Sequence, residues 1–226
     1  MKFAMRSEAG LKGENQDAMA VPPDNVNQEK LGICLAVADG ITLCPKGGEL
    51  ARDAVKVVDL YYKLARKDKP GEPALAAALE KLWDTFFEKV ESANDEEYLV
   101  SGCTLTIALI YNGMIYVKHL GDSHCDILLS SGESIRMTDE HSSPDGCLLN
   151  YFGGELQTPA QEESSPFPEG SQVILTSDGI SYFVEIELMR RMYETQRDNC
   201  EAFVNELFAI ADQSGSTDDK TVVVGY

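Results

Sequence analysis

The chain opens with apolar and β-branched runs broken by polar turns. Met1 to Arg6, Ala18 to Val21 and Leu31 to Ala38 read as strands, with a polar, Pro-containing turn from Pro22 to Lys30 between the last two. From Gly48 the period lengthens to that of a helix, placing Leu50, Ala54, Val57, Val58 and Tyr61 on one face. Pro70-Gly71-Glu72-Pro73 then sets off a second helix, from Ala74 to about Ser92, whose apolar stripe is Leu75, Leu79, Leu82, Phe86 and Val90. Further strands are predicted over Cys103 to Tyr111, Met114 to Leu120, Cys125 to Ser130 and Ser134 to Met137. Their links, Asn112-Gly113, Gly121-Asp122-Ser123 and Ser131-Gly132, have the length of hairpin turns and predict an antiparallel meander. Thr138 to Gly170 is rich in Ser, Pro, Gly and Glu and reads as a long loop with one short helix near Leu148. A strand from Gln172 to Ser177 follows, then a helical region from about Tyr182 to Asp212, broken near Arg197-Asp198-Asn199. Lys220 to Gly225 is the last strand.

Hairpin-linked strands interrupted by paired helices, without regular βαβ alternation, predict antiparallel sheets covered by helices, an α+β fold. With 226 residues and no internal repeat or linker, one domain over 1–226 is expected.

Charge narrows the choice of partner. Against 19 basic residues stand 38 acidic ones, a net charge of −19, which repels nucleic-acid backbones and anionic membrane surfaces. Such acidity serves solubility, and it is also what bound metal cations would partly offset. The six cysteines are widely spaced, without a CxxC pair, and read as buried free thiols. The N-terminus lacks the apolar stretch of a signal peptide and no run reaches membrane-spanning length, so the expected location is the cytoplasm.

Aspartates recur just before or just after the predicted strands: Asp17, Asp39-Gly40, Gly121-Asp122-Ser123, Ser177-Asp178-Gly179 and Asp218-Asp219. Carboxylates are poor strand residues and costly to bury unpaired, so the repetition needs a cause. Hard divalent cations prefer carboxylate, carbonyl and water oxygens, and Gly after Asp lets the backbone approach an ion closely. Each motif alone is an ordinary turn sequence. Together they point to a two-metal hydrolase.

In this order the motifs resemble the metal-dependent protein phosphatases of the type 2C serine/threonine family. Ser7-Glu8-Ala9-Gly10 with Glu14-Asn15-Gln16-Asp17, Ala36-Val37-Ala38-Asp39-Gly40, Ser101-Gly102-Cys103-Thr104, Gly121-Asp122-Ser123, Thr138-Asp139-Glu140-His141-Ser142, Leu175-Thr176-Ser177-Asp178-Gly179 and Asp218-Asp219-Lys220-Thr221 carry the likeness. It runs from about Ser7 to the C-terminus. The resemblance implies a sandwich of two antiparallel β-sheets flanked by α-helices on both sides, a four-layer αββα arrangement, with two Mn²⁺ or Mg²⁺ ions at one end. Their ligands map onto Asp17, Asp39, the Gly40 carbonyl, Asp178 and Asp218. Asp122 matches the carboxylate of a third, weaker metal site, its alternative role being to cap its turn; Asp219 reads as a neighbour. The implied reaction is hydrolysis of phosphoserine and phosphothreonine by a metal-activated water. The alternatives are another phosphoester substrate or a non-catalytic signalling module. A phosphorylated protein substrate and a cognate Ser/Thr kinase are the expected partners of a monomer.

Departures from the family pattern are specific. Lys12 stands where many members place an Arg that grips the phosphate, keeping the charge and losing the bidentate fork. Asp-Gly-x-Gly-Gly is replaced by Asp39-Gly40 and a longer path to Gly47-Gly48, with Ile41 where animal-type members carry a His. His124 replaces an Arg and Asp219 an Asn. His119 reads as a packed strand residue. The variable flap would lie within Leu148 to Pro168 and is short, as in compact bacterial-type members.

Overall fold

The computed structural model describes residues 1–11, 13–67, 69–93, 101–153, 159–196 and 199–226. Helices α1 (Gln28–Leu31), α2 (Gly47–Ala54), α3 (Val57–Ala65) and α4 (Glu72–Ala93) lie among the first three strands and the fourth, and α5 (Asp178–Ser181), α6 (Ile186–Gln196) and α7 (Cys200–Gln213) precede the last. The strands are β1 (Phe3–Glu8), β2 (Ala18–Ala20), β3 (Ile33–Ala38), β4 (Gly102–Cys103), β5 (Leu105–Tyr111), β6 (Met114–Leu120), β7 (His124–Leu128), β8 (Ser134–Arg136), β9 (Phe152–Gly153), β10 (Gln161–Pro166), β11 (Gln172–Thr176) and β12 (Lys220–Gly225). Two five-stranded sheets form, ordered β1-β12-β11-β7-β8 and β10-β6-β5-β3-β2, with β4 and β9 as a small separate pair. Every pairing is antiparallel.

The alternation of strand side chains sorts them into three apolar layers. Leu35 and Val37 of β3 meet Val117, Ile127, Leu175 and Val223 between the sheets. Their neighbours Cys34, Ala36 and Ala38 point outward to Leu50, Val57, Tyr61 and Leu75 of α2, α3 and α4. On the other sheet Ile174, Val222 and Val224 face Met189, Phe203, Leu207 and Phe208 of α6 and α7. Burial on both faces explains why β3, β11 and β12 are continuously apolar instead of alternating. The expected αββα sandwich is therefore the observed one. Truncating a wholly buried side chain such as Leu35 to Ala in such a layer costs about 2–5 kcal/mol.

Some local expectations are overturned. The predicted meander is two hairpins in different sheets: β5–β6 belongs to one and β7–β8 to the other, so Gly121-Asp122-Ser123 is the crossing between layers and not a hairpin turn. β1 pairs with β12, the last strand of the chain. Around Leu148 there is no helix; Leu148 forms an isolated bridge with Ser142. The long loop also holds β10, a polar edge strand registered on β6 from Gln161↔His119 to Pro166↔Met114. The first predicted helix is two, divided at Val55-Lys56. Arg197-Asp198 of the expected helix break lies outside the described residues. Cys34, Cys103, Cys125 and Cys200 are buried free thiols as expected, whereas Cys147 is exposed and Cys44 partly so.

Candidate metal centre

Strand register delivers the aspartates to one end of the sandwich. Ala18 pairs with Ala38, so Asp17 and Asp39, one residue beyond each, meet at the open end of the β2–β3 hairpin. Thr176 pairs with both His124 and Val222, which brings the segment just after β11, the crossing before β7 and the segment before β12 to the same edge. Asp178, Asp122 and Asp218 occupy those three places. Glycine makes the approach close enough. A Cβ on Gly40 would stand 2.6 Å from Gly47 C and Gly48 N, and one on Gly179 would stand 2.0 Å from Asp219 O. The lengthened path after Asp39-Gly40 thus loops out through Ile41 to Lys46 and returns Gly47-Gly48 to pack on Gly40.

Asp39, Asp122, Asp178 and Asp218 line a cleft of about 230 Å³, together with Ile41, Thr42, Leu43, Thr104, Gly146 and Leu148. No Lys, Arg or His is among these lining residues. Asp17 sits beside the cleft, buried, with Oδ2 accepting from Ser177 Oγ at 2.7 Å and Oδ1 buried without a hydrogen-bond partner. Burial pushes Asp17 up to about 6, with the hydroxyls of Thr221 and Ser177 opposing and the charges of Asp219 and Asp178 adding to it. Asp39 is raised well above the usual carboxylate range, first by burial, then by the charges of Asp17 and Asp178 and a hydrogen bond shared with Asp178. Asp122 is pushed up to about 6 by burial, with the Asp178 charge next.

These observations test the implied cations. Four carboxylates around a small space, a fifth with a buried oxygen that has no hydrogen-bond partner among the described residues, and no basic side chain among the described lining residues make an oxygen-donor set of the kind hard divalent ions take. Among the described residues no group of three or more His, Cys, Asp or Glu is gathered tightly enough to hold an ion as it stands. Burial, the charges of Asp17 and Asp178 and a hydrogen bond with Asp178 instead raise Asp39. The donor set fits the ions; bringing it to ligand distances requires carboxylates that now repel one another to draw in.

Beneath the carboxylates lies a neutral polar layer. Asp39 N–H donates to Thr104 Oγ1 at 2.9 Å, Thr104 N–H donates to Asp39 O at 2.8 Å, and Thr104 Oγ1 lies 2.7 Å from Ser123 Oγ. His119, buried in β6, fixes the crossing: Nε2 lies 2.9 Å from Gly121 O and 3.0 Å from Asp139 O, and Nδ1 lies 2.9 Å from Thr106 Oγ1. Two carbonyls at Nε2 require the proton there, leaving Nδ1 to accept from the threonine. Burial holds His119 down to about 3, so it is neutral and structural, as the sequence suggested. His141 closes over the same glycine, accepting from Gly121 N–H at Nδ1. His124 approaches Glu140 Oε1 at 3.1 Å, and burial depresses it.

Asp219 is a clamp. Its Oδ1 accepts from Gly10 N–H and its Oδ2 from Gln16 N–H, both at 2.7 Å, tying the segment that leads to Asp17 onto the start of β12. That supports the reading of Asp219 as a neighbour. Ser177, Thr104 and Ser123 are positioning residues to which the motifs assign no role. The local signal is a hydroxyl beside Asp178 and Asp122; Thr104 is adjacent to no motif aspartate. Lys12 lies outside the described residues.

A sequence model of the protein phosphatase 2C family matches residues 8–221. Among solved structures, the chain is similar to the Mycobacterium tuberculosis serine/threonine phosphatase PstP/Ppp, at 22% identity and TM-score 0.79 over 99% of this chain and 97% of that one. The catalytic domain of PstP in complex with 2 manganese ions matches at 22% identity and TM-score 0.77, over 99% and 96%. A serine/threonine phosphatase from S. agalactiae matches at 18% identity and TM-score 0.81, over 99% and 98%. At these identities the structures speak for the fold. No curated relative matches the sequence.

Proposed function

The chain belongs to the protein phosphatase 2C family and is thereby a protein serine/threonine phosphatase; from that premise we propose how its own residues carry the reaction. Asp17, Asp39, the Gly40 carbonyl, Asp178 and Asp218 hold two Mn²⁺ or Mg²⁺ ions, and Asp122 lends a carboxylate to a third, weaker site. The observation that carries this is the gathering of Asp39, Asp122, Asp178 and Asp218 around one small cleft, with Asp17 buried beside it. When bound, such ions acidify water to a nucleophile at neutral pH and neutralise phosphoryl charge.

The protein's part is placement. Ser177 engages one oxygen of Asp17 and leaves the other for an ion. Thr104 holds the Asp39 backbone from both sides and so fixes where its carboxylate and the Gly40 carbonyl point. Lys12 supplies a cation for the substrate phosphate, as a point charge without the fork of an arginine. With Ile41 in place of a histidine, the leaving serine or threonine oxygen takes its proton from water. Residues 1–226 form one phosphatase domain acting as a monomer on phosphoproteins made by a Ser/Thr kinase. Among the described residues no helix is long and apolar enough to cross a membrane, which accords with action in the cytoplasm.

The test is phosphate release from phosphoserine and phosphothreonine peptides, beside a panel of small phosphoesters, with Mn²⁺, Mg²⁺ or chelator. Turnover of the peptides by wild type, its loss in chelator and its loss in Asp178→Asn are expected. Faster turnover of a small phosphoester would reassign the substrate, and no divalent-metal binding by calorimetry would make the chain a binding module.

A further inference from the structure

Away from the acidic end, the outer helical layer holds a groove of opposite character. Between α3 and α4 a cavity of about 300 Å³ opens to solvent, with Leu50, Leu82, Phe86 and Phe152 at its floor. These four are buried, so the floor is fixed by the core beneath it. Lys56, Lys63 and Lys89 stand around it. A second cavity of about 330 Å³ shares Leu60 and Lys63 with the first and continues along α3 past Arg66 and Lys67 to Lys81 of α4, with no acidic residue among the described residues of its lining. The two cavities therefore gather six basic side chains against Asp53 and Asp59, on a protein of net charge −19.

Pairing separates the two halves of this groove. Asp53 binds both Lys56 and Lys89, closing the charge at one end. Lys63, Arg66, Lys67 and Lys81 are exposed and make no ion pair with any described residue. Exposed like charges side by side repel one another locally. An acidic ligand relieves that repulsion. The apolar cavity is at the small end of the range for sites that enclose a whole small molecule, and suits one large side chain. A flexible segment lays an apolar anchor in such a hole while its neighbours meet the flanking charges.

We propose that this groove docks an acidic, flexible protein segment carrying one large apolar side chain, which seats on Phe86 and Phe152 while its carboxylates meet Lys63, Arg66, Lys67 and Lys81. Docking is independent of metal and of catalysis. Charges on the rim set the association rate and the salt dependence, and the anchor sets the lifetime.

Fluorescence polarisation of the metal-free protein with a labelled peptide, one Phe flanked by Glu residues, tests it. Saturable binding is expected, weakened at least tenfold by raising salt from 50 to 500 mM, by replacing the peptide's Phe with Ser, and by Lys63→Glu/Lys67→Glu/Lys81→Glu. These three lysines are exposed, and an unchanged unfolding midpoint would show that the variant is folded. Equal binding by the variant, or by the Ser peptide, would overturn the proposal. So would binding of a medium-chain fatty acid or of anionic phosphatidylserine vesicles to the groove in preference to the peptide. Because no phosphate release is read, failure here leaves the catalytic assignment standing, and failure of that assignment leaves docking standing.

Discussion

Asp126 and Asp17 are both buried aspartates near strands of this sandwich, yet they live in opposite circumstances. Asp126, in β7, is fully buried and receives the Arg136 guanidinium across the β7–β8 ladder, Nε at 2.9 Å and Nη2 at 3.2 Å. The other buried charges away from the cleft follow it: Lys118 meets Glu72 at 3.0 Å and Glu162 at 2.6 Å, and Lys220 meets Asp212 at 3.0 Å. At the cleft, Asp17, Asp39, Asp122 and Asp178 are raised by or act on one another, and no basic side chain is among the described residues that line the space they share. One part of the molecule carries its counter-charge in the sequence; the other is built to receive it. Carboxylates buried side by side raise one another, so the cleft, and not Asp126, is where a bound cation would stabilise the chain.

The largest effect that would break this contrast is on turnover. Asp39→Asn keeps the size of the side chain and removes a charge the cations need, and phosphopeptide hydrolysis with Mn²⁺ should fall at least about a hundredfold, roughly 2.7 kcal/mol of barrier. In chelator the same variant should unfold at a higher temperature than wild type, because a like charge has left a repelling cluster. Added Mn²⁺ should raise the midpoint of wild type more than that of the variant. A variant as active as wild type, or less stable in chelator, would remove the metal from the account.

Asp126→Asn is the converse. Here the charge has its partner, so its loss leaves the Arg136 guanidinium beside a neutral amide and should destabilise by about 2 kcal/mol, less than for a fully buried pair because Arg136 is a third exposed. Urea unfolding reads it. Turnover in the folded variant should stay near wild type. Equal gains in metal-free stability from Asp39→Asn and Asp126→Asn would erase the distinction between the two environments.

How much of this was legible before folding differs in the same way. The three apolar layers were, because strands buried on both faces and helices with one apolar stripe write their period into the chain, as in Val222-Val223-Val224 and in Leu75, Leu79 and Leu82. The crossing at Gly121-Asp122-Ser123 was not, since a link of that length reads as a hairpin whichever sheet the next strand joins. Gln161-Glu162-Glu163-Ser164-Ser165-Pro166 was read as loop because an exposed edge strand needs no apolar face; its place comes from the β6 ladder alone. The carboxylates of the cleft were legible as residues out of place. Their supports were not: Ser177 reaches Asp17 across 160 positions, Thr104 reaches Asp39 across 65, and Asp219 reaches Gly10 across 209. Only the folded register brings such pairs together.

Beneath the cleft, the His119 layer gives a pH effect of its own. His119 sits at about 3 in the folded protein, against the usual value near 6.5 once unfolded, so protonation favours the unfolded chain. The contribution is complete above pH 6.5 and is lost as pH falls toward 3, amounting to about 2 kcal/mol by pH 5. The raised carboxylates act with the opposite sign over part of this window, so the measurement is the difference between wild type and His119→Gln in metal-free buffer, where shared contributions cancel. The wild-type stability should fall more steeply between pH 6.5 and 5 than that of His119→Gln. Parallel curves would mean that His119 titrates in the folded protein as it does in water.

The smallest effect sharpens what pairing alone is worth. Asp53 binds Lys56 and Lys89, and on paper it is as well paired as Asp126, but its partners have side chains 63% and 49% exposed. Water and salt already serve those ammonium groups, so Asp53→Asn should shift stability by less than about 1 kcal/mol, and by less still in 0.5 M salt. Asp126→Asn should be nearly indifferent to that salt. If Asp53→Asn cost as much as Asp126→Asn, burial would not be what distinguishes the pairs, and the clustered carboxylates of the cleft would lose their claim to be exceptional. The same substitution removes one of the two carboxylates facing the groove between α3 and α4. It should therefore tighten the acidic peptide there, so that a change almost silent in stability is read out in binding.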